Sequence, residues 1–479
     1  MTMLKSEKRS KESLSDMVNR DMTLKEQLLL TIRLSMPSIM AQLSTIVMQY
    51  IDAAMVGSLG ANASASIGLM MAPIWLFTGI IITSVAGFSV QTAHLLGAKD
   101  EVNARRVVRQ SYVVMLTFSM IVGLIACICA PFLPAFLGGA EEIRQDSTDY
   151  LIFFMGAAPL FLLNYLSAAM LRTSGNMLLP GMLNVLMCLL DVVFNFIFIF
   201  ETKVRTIPLI GEVETFGFGL GVKGAALGSA AAAGVIGCIL TYFLVFKSPT
   251  LALIKDRGSF KPTLDVVRRA LRISIPITGQ QFMLSSAQLV STMIVAPLGT
   301  VAIAAHAFAN TIEAICYMPG FGVSDAATTL VGQSVGARRF DLTRRFAAIT
   351  ISLGVAIMSF MAVLMYVFSP EIMAIMTPDH EVRSLAVTVL RIEAFAEPMF
   401  ACAIVAYGVC VGAGDTFLPS IINFGTIWVI RLGLAYYLSL SYGLEGVWIA
   451  MAIELSIRGL LMVSRVIFGK WIKVENLAS

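Results

Sequence analysis

Long apolar runs alternate with short polar or charged stretches along most of the chain. A run of about 20 apolar residues is long enough to cross a lipid bilayer as a helix. Twelve runs meet this criterion, at residues 28–57, 64–90, 107–136, 148–171, 178–201, 221–246, 268–297, 301–325, 343–374, 384–411, 417–441 and 444–468. Several are longer than a bilayer requires, which predicts tilted or kinked helices. The pattern predicts an all-α polytopic membrane protein with twelve transmembrane helices.

The composition indicates the same class of protein. Of the 479 residues, 57% are hydrophobic and 13% are charged, whereas about 25% of the residues in a soluble domain are charged. The net charge of +4 gives no reason to expect a nucleic-acid partner. The seven cysteines show neither CxxC spacing nor a Cys/His ligand set, so neither a disulfide framework nor a cysteine metal site is predicted.

Clusters of basic residues mark one side of the membrane. They lie in the N-terminal tail and in the connections after the second, sixth and eighth spans: Lys5, Lys8, Arg9, Lys11, Lys99, Arg105, Arg106, Arg109, Lys255, Arg257, Lys261, Arg338, Arg339, Arg344 and Arg345. Cytoplasmic loops carry an excess of Lys and Arg. The first 25 residues are polar and show no cleavable signal peptide. We therefore expect a multi-pass protein of the plasma (inner) membrane, with both termini in the cytoplasm.

The two halves of the chain repeat each other at a spacing of 239 residues. The matching positions are Pro37 and Pro276, Gly60 and Gly299, Gly97 and Gly336, Arg105-Arg106 and Arg344-Arg345, Pro159 and Pro398, and Pro180 and Pro419. Each half holds six spans, so the halves are parallel repeats related by a pseudo-twofold axis along the membrane normal. The predicted organisation is a cytoplasmic tail (1–27), a first lobe (28–246), a cytoplasmic linker (247–267), a second lobe (268–468) and a cytoplasmic tail (469–479).

Asp52 is a carboxylate inside the first apolar run, with no basic residue within a helical turn. A charge at membrane depth costs roughly 2.5–3.5 kcal/mol on insertion scales, and carboxylates there commonly bind a proton, a metal ion or a cationic solute. If the helix enters near Arg33, Asp52 lies about 28 Å up, in the outer part of the hydrocarbon core. The alternative is an Asp52 that stays neutral or lies near the outer headgroups.

Asp191 and Asn195 on the fifth span are four residues apart and share a helix face. They lie about 17 and 23 Å from an entry point near Pro180, so we expect them to converge with Asp52. Two neighbouring carboxylates in low dielectric readily hold a proton, and the same three residues can bind a hard cation such as Na⁺. Alternatively, Asp191 and Asn195 only pair with each other as a contact between helices.

The second half offers Glu397, near the middle of the tenth span, as another candidate for binding ion or substrate. The alternative is that Arg391 or Arg431 pairs with Glu393 or Glu397, because intramembrane charges usually pair with one another. Glu313 on the eighth span is a further candidate. Gln49 joins the candidate ligands, although uncharged glutamines more often pack between helices, as expected of Gln42, Gln280, Gln281 and Gln288.

The chain lacks the sequence patterns of common enzymes. No Walker A, G-x-S-x-G or H-E-x-x-H sequence is present. We therefore expect neither an enzyme nor a bound cofactor, and any uphill transport must draw on an ion gradient.

Four motifs, two in each half of the chain, carry a family resemblance: Asp52-Ala-Ala-Met-Val-Gly57, Leu171-Arg-Thr-Ser-Gly-Asn176, Val331-Gly-Gln-Ser-Val-Gly-Ala337 and Gly412-Ala-Gly-Asp-Thr416. With them, the chain resembles the multidrug and toxic compound extrusion (MATE) transporters over roughly residues 28–468. The resemblance implies two six-helix lobes arranged in a V. It also implies export of cationic or amphipathic organic compounds in exchange for H⁺ or Na⁺.

The resemblance assigns roles unevenly. Asp52 falls where the family keeps a first-helix Asp that binds the coupling ion. The family often has Asn followed four residues later by Asp in the fifth helix, and Asp191 and Asn195 reverse that order. NorM-type members have a seventh-helix Glu and a tenth-helix Asp, which fall at Leu284 and near Phe400. This departure favours a first-lobe coupling site, as in the DinF-like branch.

The sequence thus predicts a monomeric secondary antiporter for small, cationic or amphipathic organic substrates, working by alternating access. Two other functions stay open at this point. A lipid-linked oligosaccharide flippase of the same superfamily is one, although such proteins tend to carry more spans or cationic cavities. An ion channel built from two bundles is the other, and it would conduct without stoichiometric exchange.

Overall fold

The computed structural model describes residues 13–207 and 211–472. Its helices are α1 (Leu14–Val18), α2 (Leu24–Gly57), α3 (Ala61–Gly97), α4 (Glu101–Cys129), α5 (Leu133–Phe136), α6 (Glu141–Gly156), α7 (Ala158–Thr173), α8 (Leu178–Ile199), α9 (Val222–Tyr242), α10 (Leu264–Val295), α11 (Thr300–Gly336), α12 (Phe340–Met376), α13 (His380–Ala394), α14 (Glu397–Gly412), α15 (Phe417–Gly425) and α16 (Leu432–Phe468). Two strands, β1 (Glu201–Ile207) and β2 (Gly211–Phe218), lie between α8 and α9. A π-helical turn, Thr426–Arg431, joins α15 to α16.

The described helices supply twelve membrane-crossing segments. Nine continuous helical runs are long and apolar enough to cross a membrane, and two bent pairs, α6 with α7 and α13 with α14, raise the number to eleven. One of the nine, Phe417–Phe468, is 52 residues long and is broken at Gly443, which has a φ of 56°. Because that run contains two spans, the count becomes twelve. The predicted all-α polytopic class is confirmed.

Proline places the two bends at equivalent points of the repeat. α6 and α7 meet at 44° and α13 and α14 meet at 57°. Pro159 and Pro398 stand in the first turn of the helix after each bend. Proline has no amide hydrogen and clashes with the preceding turn, so the preceding helix ends before it.

Each repeat has its own apolar core, and a third apolar cluster joins the repeats. One core draws its buried side chains mainly from the first half of the chain, and another draws them from the second half. The third cluster, which we call the joining cluster, combines α1, α2, α11, α12 and α14. α2 packs along α11 and α3 packs along α10. The repeat relates these two crossings to each other, so the lobes meet in a pseudo-symmetric way.

Close backbone contacts join the lobes at the end of the bundle that carries the basic connections, which we call the basic end. A methyl group on Gly97 would collide with the Gln333 carbonyl, and one on Gly336 would collide with the His94 carbonyl. Gln333 Nε2 donates to Thr173 O at 2.7 Å, and His94 Nε2 donates to Gly412 O at 2.8 Å. The two lobes are therefore closed against each other at the basic end.

The linker between the lobes is fixed to the first lobe. Arg105 Nε donates to Asp256 Oδ2 at 2.6 Å, and Arg105 Nη1 donates to Thr250 O at 2.8 Å. Arg109 also pairs with Asp256, and its Nη2 donates to Leu253 O at 2.7 Å. The hydrogen bond from Arg105 holds the pKa of Asp256 below its ordinary value. The linker is thus a part of the first lobe's surface.

An antiparallel hairpin connects α8 to α9. β1 pairs with β2 from Glu201 opposite Phe218 to Ile207 opposite Gly211. The sequence predicts only a longer polar connection at this point. The equivalent turn of the second lobe is the break at Gly443, so the hairpin distinguishes the two repeats.

Candidate functional site

A cavity of about 660 Å³ lies between the lobes. α3 and α7 line it from the first lobe, and α10, α11, α14 and the helices from α15 onward line it from the second. Its polar and aromatic lining includes Thr83, Ser89, Tyr165, Arg172, Gln280, Gln281, Gln288, Asn310, Glu313, Tyr317, Asp325, Phe400, Tyr407, Asn423, Arg431 and Arg458.

Three glutamines on α10 add to an expectation from the sequence. Gln280, Gln281 and Gln288 are expected to pack between helices; Gln281 packs against Gly79 of α3, and all three also line the central cavity. The reason is that α10 borders the space between the lobes where it crosses α3.

Charged side chains of both signs face the central cavity. Arg172 comes from the first lobe, whereas Glu313, Asp325, Arg431 and Arg458 come from the second. Gln42 Nε2 of α2 lies 3.5 Å from Asp325 Oδ2, across the boundary between the lobes. Ligand pockets typically combine apolar or aromatic walls with a few polar groups that fix the ligand's orientation. This cavity fits an amphipathic organic molecule that carries charge.

Asp52, Asp191 and Asn195 meet in a separate place, which we call the acid pocket. Asn195 Nδ2 donates to Asp52 Oδ1 at 2.8 Å and to Asp191 Oδ2 at 2.9 Å. Asp191 and Asn195 are fully buried and Asp52 is half-buried. None of the three lines the central cavity. Because one amide nitrogen bonds both carboxyl groups, the two carboxyl groups lie side by side.

Close packing of α9 on α8 shapes the acid pocket. A methyl group on Gly228 of α9 would collide with Asn195 Oδ1, so glycine is needed there. Asp191 Oδ1 and Asn195 Oδ1 are buried and have no hydrogen-bond partner among the described residues. Gln49, also a predicted ligand, is exposed, and Asn195 supplies the amide of the pocket.

The acid pocket offers carboxylate oxygens to a proton or a cation. Within residues 13–207 and 211–472, no group of three or more His, Cys, Asp or Glu side chains is placed to hold a metal ion. A transition-metal centre therefore does not fit the donor set. Two adjacent carboxylates fit a proton or a hard cation such as Na⁺, which prefers oxygen ligands.

A buried ion triad lies in the second lobe. Glu454 is fully buried; its Oε2 lies 3.1 Å from Arg431 Nε, and its Oε1 lies 3.0 Å from Arg458 Nε. One alternative from the sequence, that Arg391 or Arg431 pairs with Glu393 or Glu397, does not hold in the structure. Arg431 pairs with α16 instead, and Arg391 turns toward α12, where its guanidinium lies 5.2 Å from the Tyr366 ring centre.

Glu397 and Glu393 flank the bend between α13 and α14. Both are fully buried, and none of their four carboxyl oxygens has a hydrogen-bond partner among the described residues. Both interact electrostatically with Glu313, which reaches the central cavity. An ionised carboxylate buried without a partner is very costly. These groups are therefore suited to carrying protons.

Sequence reasoning missed four charged residues that line the central cavity or belong to the buried ion triad: Arg172, Asp325, Glu454 and Arg458. Asp325 had a usable signal, because it is a carboxylate within an apolar run in the same way as Asp52. Glu454 and Arg458 also had one, because opposite charges four residues apart on a helix are neighbours.

Two similar helical lobes around a central cavity are typical of secondary transporters. The family model described as MatE matches residues 37–197 and 276–437, one segment in each repeat. The chain belongs to the MatE family of membrane transporters. The family resemblance predicted from the motifs is confirmed.

Named relatives and solved structures agree with this assignment. The "Probable multidrug resistance protein NorM" of Thermotoga maritima is 25% identical over 445 residues, which cover 92% of each chain. The "Uncharacterized transporter YisQ" of Bacillus subtilis is 24% identical over 427 residues, which cover 88% of this chain and 90% of YisQ.

Among solved structures, a multidrug resistance MATE family transporter in an outward-facing conformation matches with a TM-score of 0.83 at 21% identity, covering 97% of this chain and 98% of that one. The Vibrio cholerae MATE transporter VcmN matches with a TM-score of 0.83 at 19% identity, covering 92% and 97%. At these identities the likeness concerns the fold.

Proposed function

We propose that this protein exports cationic or amphipathic organic compounds in exchange for H⁺ or Na⁺, by alternating access, and that the acid pocket binds the coupling ion. The observation that carries the proposal is the pair of hydrogen bonds from Asn195 to Asp52 and Asp191. Two adjacent carboxylates in low dielectric repel each other unless a proton or a cation neutralises one charge. The pocket therefore changes its net charge when it loads and unloads an ion.

The position of Asp52 connects ion binding to the arrangement of the lobes. Asp52 lies on α2, and α2 also forms the crossing with α11 of the second lobe, where Gly322 permits a close approach to Ile39. Binding of an ion in the acid pocket reduces the electrostatic repulsion between Asp52 on α2 and Asp191 on α8. A shift of α2 would alter its fit against α11 and so favour a different arrangement of the lobes.

The central cavity supports the proposed class of cargo. Its lining combines aromatic rings, amides and charges of both signs, which suits flat organic molecules with a charged group. The names of several relatives, as multidrug resistance proteins, point the same way. Cargo and ion would occupy different places, because the acid pocket does not line the cavity.

Glu397 is a second proposed place for a coupling proton. Glu393 and Glu397 have no hydrogen-bond partner among the described residues, and Glu313 links them electrostatically to the cavity. Glu397→Gln would then lower the number of protons exchanged per cargo molecule. If this variant exchanges ions and cargo in the same ratio as the parent, Glu397 has only a structural role.

The membrane setting completes the proposal. We place the basic end in the cytoplasm of the plasma (inner) membrane, because clusters of Lys and Arg mark cytoplasmic loops. We also propose that a monomer suffices, because each chain contains both lobes, the cavity and the acid pocket.

The test is flux of a fluorescent organic cation in proteoliposomes, with pH and Na⁺ gradients imposed separately. We expect one gradient to drive uphill movement of the cation and Asp52→Asn to abolish it. Glu142→Gln, which changes an exposed carboxylate outside both sites, should leave the flux unchanged. Undiminished gradient-driven flux in Asp52→Asn would refute the acid pocket as the coupling site.

The same preparation separates the competing functions. A channel would pass ions without cargo and would show no uphill cargo movement. A lipid-linked oligosaccharide flippase would move labelled lipid between leaflets and ignore the organic cation. Either result would overturn the proposed antiport.

A further inference from the structure

Residues 13–22, which we call the strap, lie at the basic end immediately before α2. The strap contains α1, which begins after Ser13, whose side chain accepts a hydrogen bond from Asp16 N. Of its four large apolar side chains, Leu14, Val18 and Met22 are buried, and Met17 is half-buried against the joining cluster. The strap is therefore packed into the molecule and is not a loose tail.

Polar contacts tie the strap to the first lobe. Ser15 Oγ donates to Leu96 O at 2.6 Å, and Asn19 Nδ2 donates to Gly97 O at 3.0 Å. Both acceptors lie in the last turn of α3, where main-chain carbonyls lack partners within the helix. Asp16 Oδ1 also lies 3.3 Å from Lys99 Nζ. These contacts hold α1 across the end of α3.

Other contacts tie the same segment to the second lobe. Arg339 Nη2, at the start of α12, donates to Asp21 Oδ1 at 2.8 Å. α1 packs against α11 as well as α3. The buried apolar side chains of the strap belong to the joining cluster together with Val331, Val335 and Leu342 of the second lobe. One short segment thus contacts both lobes at the place where they close.

We propose that the strap is a built-in latch that stabilises the arrangement closed at the basic end. Opening that end requires Gly97 and Gln333 to move apart, which carries α3 away from α11. The strap is joined covalently to α2, so it would leave the second lobe and expose part of the joining cluster. The apolar contacts dominate, because Asp21 is 98% exposed and exposed ion pairs contribute little.

The latch would set how often the basic end opens. A tighter strap holds the closed arrangement for longer, and a weaker strap raises the population of the other arrangement. The idea rests on the proposed alternating access. It concerns the equilibrium between conformations of the protein without cargo, however, so it can fail or succeed independently of ion coupling.

Two deletions provide the main test. Deletion of residues 2–22 removes the strap and keeps the Thr23–Glu26 capping box at the start of α2. Deletion of residues 2–12 leaves the strap in place and removes four of the five basic residues that the longer deletion removes, Lys5, Lys8, Arg9 and Lys11; the fifth, Arg20, belongs to the strap. This matched control separates loss of the strap from loss of tail charge.

Spin labels at Arg106→Cys and Arg345→Cys, in a background without the native cysteines, report the distance between the lobes. These exposed sites are equivalent in the two repeats. We expect the 2–22 deletion to raise the ratio of open to closed arrangements at least about tenfold, since exposing one buried apolar side chain changes an equilibrium by about that factor. The 2–12 deletion should match the full chain.

A charge exchange tests the contact with the second lobe. Asp21→Arg should raise the open ratio by about two- to fivefold, as expected for an exposed pair, and adding Arg339→Asp should restore it. Asp341→Asn, which removes the other ion-pair partner of Arg339 but lies in the same lobe, should have no effect. Unchanged distance distributions in the folded, monodisperse 2–22 deletion would overturn the latch, whether or not the protein transports cargo.

Discussion

Gly97 and Gly336 occupy equivalent positions in the two repeats, and each lies against the backbone of the opposite lobe. The neighbours of both glycines are main-chain carbonyls, which cannot turn aside as a flexible side chain can. The closure at the basic end is consequently a contact between backbones, and it tolerates almost no added volume.

Gly97→Ala should disturb this closure. The new methyl group would meet the Gln333 carbonyl, and overpacking of this kind typically costs about 1–3 kcal/mol. We expect a lower thermal unfolding midpoint in detergent and a wider distance between labels at positions 106 and 345. Gly68→Ala on the same helix is the control, because no atom lies within 4 Å of the added methyl group. Equal unfolding midpoints for the two variants would contradict the prediction.

Gly228→Ala should impair the acid pocket by displacing the side chain of Asn195. Its methyl group would displace Asn195 Oδ1 and so disrupt the hydrogen bonds to Asp52 and Asp191. We expect ion-driven flux to fall by at least about tenfold, since misplacing groups by about 1 Å can cost far more than that. Gly234→Ala on the same helix meets only the end of Leu160, at 3.3 Å, and should keep its flux. Normal flux in Gly228→Ala would show that the position of Asn195 is unimportant.

Glu454→Gln should destabilise the second lobe. The change leaves the half-buried Arg431 and the buried Arg458 without the Glu454 carboxylate, and breaking a buried pair costs up to about 3–5 kcal/mol. Thermal unfolding in detergent measures the loss. Arg391→Gln is the control, because Arg391 contacts the Tyr366 ring and carbonyl and is not part of the ion triad. We expect it to lower the unfolding midpoint less than Glu454→Gln does. A triple variant with leucine at positions 431, 454 and 458 should recover stability, since apolar replacement of a whole buried ion group is often neutral or stabilising.

The linker contact should resist mild acid. Because the pKa of Asp256 is lowered by the hydrogen bond from Arg105, the stabilisation is fully present above the unfolded pKa of about 3.9. It is lost as the pH falls through the lower folded pKa. Hydrogen exchange in residues 250–262, corrected for intrinsic rates, should be constant from pH 8 to about 5 and rise only below about pH 4.

Asp256→Asn is the control for this titration. It should loosen the linker already at neutral pH, because an amide cannot pair with Arg105 and Arg109 as a charged group. Faster exchange in the parent protein between pH 7 and pH 5 would mean that another group controls the linker.

Helix periodicity and the repeat predicted the fold class and the twelve spans, and the length of the runs predicted kinks without locating the two bends. The convergence of Asp52 with Asp191 and Asn195 followed from depth and face, because both quantities depend only on the regular rise and turn of a helix. The role of these residues in ion coupling stays a prediction.

Contacts between non-adjacent helices could not be predicted in the same way. Arg431 finds Glu454 because α16 packs beside it, and no spacing rule encodes that choice. The cavity-facing glutamines of α10 show the same limit, since their surroundings depend on how far the lobes stand apart. The strap was assigned to a cytoplasmic tail because its apolar residues are too few to form a span.

The separation of the acid pocket from the central cavity has an evolutionary consequence. Under the proposed function, substitutions in the walls of the large chamber would alter which molecules are carried without touching the carboxylates proposed to bind the coupling ion. Selection for resistance to a new compound would then act on one chamber and leave the proposed energy source intact.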